Sequence, residues 1–306
     1  MPIRSKNVSG GSPFLLEFMN YKKWLSENTH SLAGKIVAIS GSTGGIGKEL
    51  CRFFCMLSAN LILIDRNKAR SDALKSSLLA DFPNVNIKAY YVDLEDIAAV
   101  RELSVSLQNE EIDYLVLNAG AYKIPRSKGK NGFENVFNIN FISPYILANA
   151  LLPQIKARGG KVVAVGSIAH NYSKIDVNDV DFATRKAPSK IYGNAKRYLM
   201  YSLWSLEEYR DTINVAHPGI AVTNITSHYP KVIYAIIKYP MKIIFMNPKK
   251  ASLSILYALF TNTTKNEWIG PRVFDVWGLP RKKTLKTCSQ EEAEKISQIA
   301  KEIYLK

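Results

Sequence analysis

The chain has 306 residues and a mass of 34.3 kDa, with 47% apolar and 22% charged residues. This is an ordinary composition for a soluble globular protein of one large α/β domain or two small ones. Three cysteines, Cys51, Cys55 and Cys288, with no Cys/His set at zinc spacing exclude a disulfide-rich secreted fold and a structural zinc module, so no metal is expected. No apolar run reaches the 18 or so residues of a membrane span. The start is polar, with only Phe14-Leu15-Leu16 before Glu17, so a cytoplasmic protein is expected.

The net charge of +15 is unevenly placed. Residues 231–286 carry eleven Lys and Arg against Glu267 and Asp275, more than half of the excess in under a fifth of the chain. With no helix-turn-helix or RNA-binding signature beside it, this patch does not point to nucleic acid. It reads as a solvated rim, or as a peripheral contact with anionic membrane.

Residues 1–33 form an N-terminal extension with one short helix around Phe18–Glu27, and residues 1–18 are expected to be disordered or to lie upstream of the true start. Alternation begins at Lys35–Ser40, a short apolar run ended by Gly41 and read as a buried strand. A helical face of Ile46, Leu50, Phe53, Phe54 and Leu57 follows, then a strand at Asn60–Ile64. Further helices are expected near 68–79, 97–107, 133–152 and 191–208, with strands at 87–92, 114–117, 161–165 and 212–216. Strands alternating with helices of this length predict an α/β fold, a doubly wound parallel sheet with helices on both faces. Ser289 and Glu292 make a capping box for a C-terminal helix striped by Ala293, Ile296, Ala300 and Ile303. The expected organisation is an extension at 1–33, a single nucleotide-binding domain at 34–280 and a helical tail at 281–306.

The first strand runs into Ser40-Gly41-Ser42-Thr43-Gly44-Gly45-Ile46-Gly47, and a helix starts there. Glycines in such a turn allow a tight bend, close approach of backbone to a pyrophosphate and close packing of helix on strand. The helix N-terminus offers free N–H groups and the positive end of its dipole to phosphates. Asp65 ends the next strand 18 residues after Gly47, which is the context a dinucleotide site requires. Asp65 can accept both ribose hydroxyls of NAD and would repel the 2′-phosphate of NADP. Arg66 could pair with that phosphate instead. NAD is therefore favoured, with NADP open.

Tyr192-Gly-Asn-Ala-Lys196 puts a phenol and an ammonium four apart on one helix face. A free tyrosine has a pKa near 10, and a fixed positive neighbour brings it toward the working range of an acid–base catalyst. Ser167 follows the strand 161–165, and Asn118-Ala119-Gly120 follows 114–117, where a doubly wound sheet opens its ligand crevice. Asn140 lies in the next helix.

These residues resemble those of the short-chain dehydrogenase/reductase family over about residues 33–225. The match includes Gly41, Gly45 and Gly47 at Gly-x-x-x-Gly-x-Gly spacing, Asp93 and Leu94 after Val92, Asn118-Ala119-Gly120, and His217-Pro218-Gly219 with Thr223. The resemblance implies Tyr192 as general acid/base and Lys196 as the group that lowers its pKa and holds the nicotinamide ribose. It implies that Ser167 orients the reacting oxygen and that Asn140 holds a water linking Lys196 to solvent. Asp93 would contact the adenine, and 217–223 would border the nicotinamide. Relatives in the family are often dimers or tetramers. Ser40, Gly166 and Leu117 depart from the usual residues without removing a catalytic group. Gly132-Phe133-Glu134, with Phe137 and Asn140, also resembles retinol-dehydrogenase-like members, which points to lipophilic substrates.

The implied function is hydride transfer between a nicotinamide cofactor and a small-molecule alcohol, ketone or aldehyde. A nucleotide-sugar epimerase uses the same Tyr and Lys but usually carries a different glycine spacing and a larger C-terminal domain. A catalytically weak, nicotinamide-sensing or membrane-surface protein on the same fold is the non-enzyme alternative. The segment at about 225–260 is expected to lid the substrate, and its lysines between large apolar residues at 231–250 would suit a membrane-surface anchor equally well.

Overall fold

The computed structural model describes residues 23–219, 246–285 and 288–306. It divides into two compact units, Met1–His30 and Ser31–Lys306. The described part of the first is a helix over 23–28, supported by the Lys23–Glu27 pair at 3.7 Å. The expectation for residues 1–18 lies outside the described residues.

The second unit is built on an eight-stranded sheet in the order β3-β2-β1-β4-β5-β6-β7-β8. Its strands are β1 (Ile36–Ser40), β2 (Asn60–Asp65), β3 (Ile87–Tyr91), β4 (Tyr114–Leu117), β5 (Lys161–Val165), β6 (Ile213–Ala216), β7 (Glu267–Val273) and β8 (Trp277–Thr284). The first seven are parallel, and β8 returns antiparallel along β7. The inner strands are near-continuous apolar runs because both faces are covered; β1 and β5, for example, are buried from their second residue onward. The covering helices are α1 (Gly45–Met56), α2 (Lys68–Asp81), α3 (Ile97–Gln108), α4 (Ser143–Ala157), α5 (Pro188–Trp204), α6 (Pro248–Tyr257) and α7 (Gln290–Leu305).

The core joins the strands to α3, α4, α5 and α7 through Leu115, Phe141, Leu151, Tyr198, Leu203 and Ile296. The helical run Asn135–Ala157, which contains α4, is the one stretch among the described residues long and apolar enough to cross a membrane; 83% of its most apolar window is buried inside the protein. Its apolarity is that of a core helix.

Two findings bear on the expected organisation. Position 280 falls inside β8, and α7 packs into the common core through Ile296, Ala300 and Ile303. Of the proposed lid, residues 225–245 lie outside the described residues, while 248–257 form α6, a buried helix that packs on α1.

Candidate active site

Connectivity reverses direction between β1 and β4: β1 is followed outward by β2 and β3, whereas β4 leads the other way to β8. Loops leaving the two strands therefore part, and a crevice opens at their carboxyl ends. There the structure has a cavity of about 880 Å³.

One end of the cavity is the glycine turn. Gly41 has φ +69°, and a Cβ on it would lie 2.8 Å from the Ala119 Cα. A Cβ on Gly47 would come within 2.2 Å of the Gly41 carbonyl oxygen. Both positions thus need glycine, one for a left-handed backbone and one for close packing of α1 under the turn. The N-cap of α1, Gly44, contributes no side-chain hydrogen bond, so the first amides of the helix are left to an anion. Gly41, Thr43, Gly45, Ile46 and Gly47 line the cavity. Such a cradle fits the pyrophosphate of a nicotinamide dinucleotide. Gly47→Ala is expected to raise the dissociation constant for the cofactor at least about tenfold, roughly 1.4 kcal/mol, read by titrating nicotinamide fluorescence.

Asp65 lines this end of the cavity, where the ribose is expected. It is 4% exposed, and its carboxylate is turned inward to the glycine turn. One oxygen accepts from the Thr43 N–H (3.1 Å) and hydroxyl (3.2 Å), and the other from Ser71 (3.0 Å) and Ser42. Four donors occupy the four acceptor positions of a carboxylate. Ser42 is buried beneath the turn and does not line the cavity. Arg66 and Arg70 are exposed at this end; Arg70 donates to the Thr43 carbonyl at 3.0 Å, and Arg66 approaches Asp93 at 3.5 Å. The sequence reading missed Arg70, although a cation five residues past Asp65, on the first turn of α2, was a usable signal.

Further along, Asn118 binds the Ser40 and Gly41 carbonyls at 3.1 and 3.0 Å and so locks β4 to the turn. Ala119, Gly120, Asp93 and Leu94 complete this wall. Asn140 stands behind it, on the π-helical turn Asn138–Ile142. Its amide clasps both the N–H and C=O of Ala121, at 3.2 and 2.8 Å, and donates to the Val136 carbonyl at 2.9 Å. The side chain thus has a positioning task, holding Ala121 to the turn behind it.

At the far end Ser167, Tyr192 and Lys196 meet. Ser167 leaves β5 and caps a short 3₁₀ turn, accepting from Ala169 N–H at 3.2 Å. Tyr192 and Lys196 rise from α5, with the ammonium nitrogen 5.7 Å from the phenol ring centroid. Lys196 is 1% exposed and donates to the Val165 carbonyl at 2.8 Å. Burial holds its ammonium down at about 8. Burial likewise pushes the Tyr192 phenol up to about 12, against the pull of the neighbouring Ser167 hydroxyl. Desolvation outweighs the expected help from Lys196, so with no ligand beside it the phenol is protonated. Tyr122 packs edge-on against the Tyr192 ring at 5.4 Å.

Pro218 and Gly219 close this end, and Thr223 lies outside the described residues. His217 is stacked 4.9 Å from Trp268 and shares a 3.1 Å hydrogen bond with the Asp275 carbonyl. Burial lowers its imidazole to about 4, which leaves it neutral at pH 7.

Residues 35–178 match the family model described as short chain dehydrogenase. Human retinol dehydrogenase 13 is 28% identical over 72% of this chain and 69% of its own length. Mouse polyprenol dehydrogenase is 26% identical over 74% and 71%. The short-chain dehydrogenase TIC 32 A of Brassica napus chloroplasts is 31% identical over 65% and 68%. Among solved structures, a Mycobacterium paratuberculosis protein superposes with a TM-score of 0.73 at 21% identity, over 92% of this chain and 97% of the other. A Sphingobium yanoikuyae short-chain dehydrogenase in complex with NADPH gives 0.56 at 24% identity, over 72% and 82%.

Proposed function

The chain belongs to the short-chain dehydrogenase family and is an NAD(P)-dependent oxidoreductase of alcohols and carbonyls, and we propose that it acts on a lipophilic substrate with NADP(H), through Ser167, Tyr192 and Lys196. The observation that carries this reading is the meeting of those three side chains in the same cavity as the glycine cradle.

The nicotinamide, when bound, supplies or accepts the hydride. Ser167 orients the substrate oxygen, and the neutral Tyr192 phenol gives its proton to that oxygen as a carbonyl is reduced. In the oxidising direction the same phenol must first be ionised, and the Lys196 ammonium favours that form. Lys196 also stands where it can hold the nicotinamide ribose. Asn140 fixes the strap at 118–121: a Cβ on Gly120 would lie 2.8 Å from its amide oxygen and 3.6 Å from the Lys196 nitrogen.

A lipophilic substrate is supported by apolar side chains around the phenol, Tyr122, Ile124, Ile139, Ile168 and Tyr172, and by the retinol and polyprenol named for two relatives. NADP(H) rather than NAD is supported by Asp65, whose acceptors are all engaged, and by Arg66 and Arg70 standing exposed where a 2′-phosphate would meet them. Arg66→Ala is expected to weaken NADPH binding about tenfold, the effect of losing one hydrogen bond to a charged group, while leaving NADH binding unchanged. A wild-type preference for NADH would defeat this assignment. Assays of isoprenoid and long-chain alcohols and ketones against polar sugars and hydroxy acids, with both cofactors, test the whole reading. Highest kcat/KM on a polar member of the panel would reject the substrate class.

A further inference from the structure

We propose that the tip of the β7–β8 hairpin docks the mouth of the active-site cavity onto an anionic membrane surface. The inference concerns where the enzyme sits and does not depend on which alcohol or carbonyl it converts.

The tip presents two large apolar side chains to water. Phe274 is 88% exposed and Trp277 is 40% exposed, whereas the other three tryptophans, Trp24, Trp204 and Trp268, are buried. Phe274 also has φ +50°, and Asp275 beside it has φ +57°. A bulky side chain in the left-handed region is strained, and here almost no packing offsets the strain. Such a residue adds nothing to the core. A phenyl ring and an indole at a protruding turn are suited to the apolar–polar boundary of a bilayer, where aromatic rings reside.

The surroundings of the tip are positive. Between residues 246 and 285 there are seven Lys and Arg against Glu267 and Asp275. Both carboxylates are engaged within the protein: Asp275 pairs with Lys283, and Glu267 accepts from the Thr264 N–H at 2.8 Å. Arg272, Arg281 and Lys282 are exposed along the hairpin behind the aromatics. Apolar residues at the point with cations a few residues back is the order in which an anionic bilayer offers its complements. A second copy of the chain is the poorer occupant. A tip of a few residues buries far less than a stable interface requires, and a two-fold contact through it would set these cations against each other.

The tip also borders the site. The Asp275 carbonyl is hydrogen-bonded to His217, and the Val276 carbonyl oxygen lies 2.7 Å from where a Gly219 Cβ would be. His217 and Gly219 both line the cavity. Docking through Phe274 and Trp277 would therefore bring the substrate end of the cavity to the lipid boundary, so that a lipophilic molecule need cross little water.

The test is cosedimentation of the full chain with vesicles of phosphatidylcholine alone or with phosphatidylserine, at low and high salt, beside the double variant Phe274→Asn/Trp277→Ser. Binding is expected only with phosphatidylserine and should weaken as salt screens it. Brominated lipid should quench the exposed Trp277 selectively. The double variant should bind at least tenfold more weakly while reducing a small water-soluble ketone at the wild-type rate. Absence of binding under every condition overturns the proposal. So does unchanged binding by the variant, which would place the anchor elsewhere, or a change of oligomeric state on ultracentrifugation, which would make the tip a contact between copies. Failure of every ketone and alcohol assay, with vesicle binding intact, would defeat the enzymatic reading and leave this inference standing.

Discussion

Replacing Tyr192 by phenylalanine is expected to lower kcat by about 10²–10⁴-fold, the usual contribution of a positioned general acid or base. Affinity for the nicotinamide cofactor should change by less than about twofold, since the ring and its packing against Tyr122 remain. The size of the effect follows from the phenol's protonation. Burial pushes the Tyr192 phenol up to about 12, so at neutral pH the group is a proton donor in place beside Ser167. Rapid-kinetic and equilibrium measurements on the same variant separate the two claims. Retention of more than about a tenth of kcat would remove Tyr192 from the chemistry. Loss of cofactor binding as well would show that the phenol is chiefly a wall of the site.

The half of the molecule that carries the cofactor cradle was legible because its physics is local. A strand buried on both faces must be a short apolar run, and 36–40, 61–65 and 162–165 read that way with glycine or an acidic residue as punctuation. Tyr192 and Lys196 were legible because four residues on a helix share a face. The end of the sheet was not legible for the opposite reason. Strand β7 contains Gly270 and Pro271, and β8 contains Gly278, Pro280 and three consecutive cations, so neither has a strand-like run. β8 is the edge strand, and β7 meets β6 at Ala216 and Ile269, short of Pro271, so the missing amide of Pro271 facing Pro280 is tolerated. Asp65 shows a subtler limit. The sequence located the carboxylate, but the direction it faces is decided by donors at 42, 43 and 71, which only the folded chain gathers. Glu292 is similar: its backbone N–H takes the Ser289 cap at 3.2 Å as the capping box requires, yet its side chain leaves the box for a partner on another helix.

That partner is Arg197, the residue after Lys196, and Glu292→Ala is expected to be the most destabilising of these substitutions. The guanidinium is 2% exposed and grips both carboxylate oxygens, at 2.8 and 2.6 Å, while donating to the His170 carbonyl at 3.1 Å. The carboxylate also accepts from the Ile175 N–H at 3.1 Å. One ion pair thus ties α7 to α5 and to the segment that follows Ser167. Removing Glu292 takes the carboxylate from a buried cation, a loss of about 3–5 kcal/mol, and should lower Tm by roughly 5–8 °C in a chain of this length. The pH dependence has a definite sign. Burial alone would raise the Glu292 carboxyl, but the Arg197 and Ile175 hydrogen bonds outweigh it and hold it below the usual carboxylate range. A carboxylate depressed by folding contributes stability above its unfolded pKa and loses it as pH falls through the folded one. The Tm gap between wild type and Glu292→Gln should therefore be widest near neutrality and close in acid below about pH 4. A gap that stayed constant from pH 7 to pH 3 would show that the pair contributes packing rather than charge. Arg197→Ala leaves a carboxylate that is 14% exposed, against 2% for the guanidinium, and still accepts from the Ile175 N–H, so it should cost less than Glu292→Ala, and the order of the two separates desolvation from mere loss of contact.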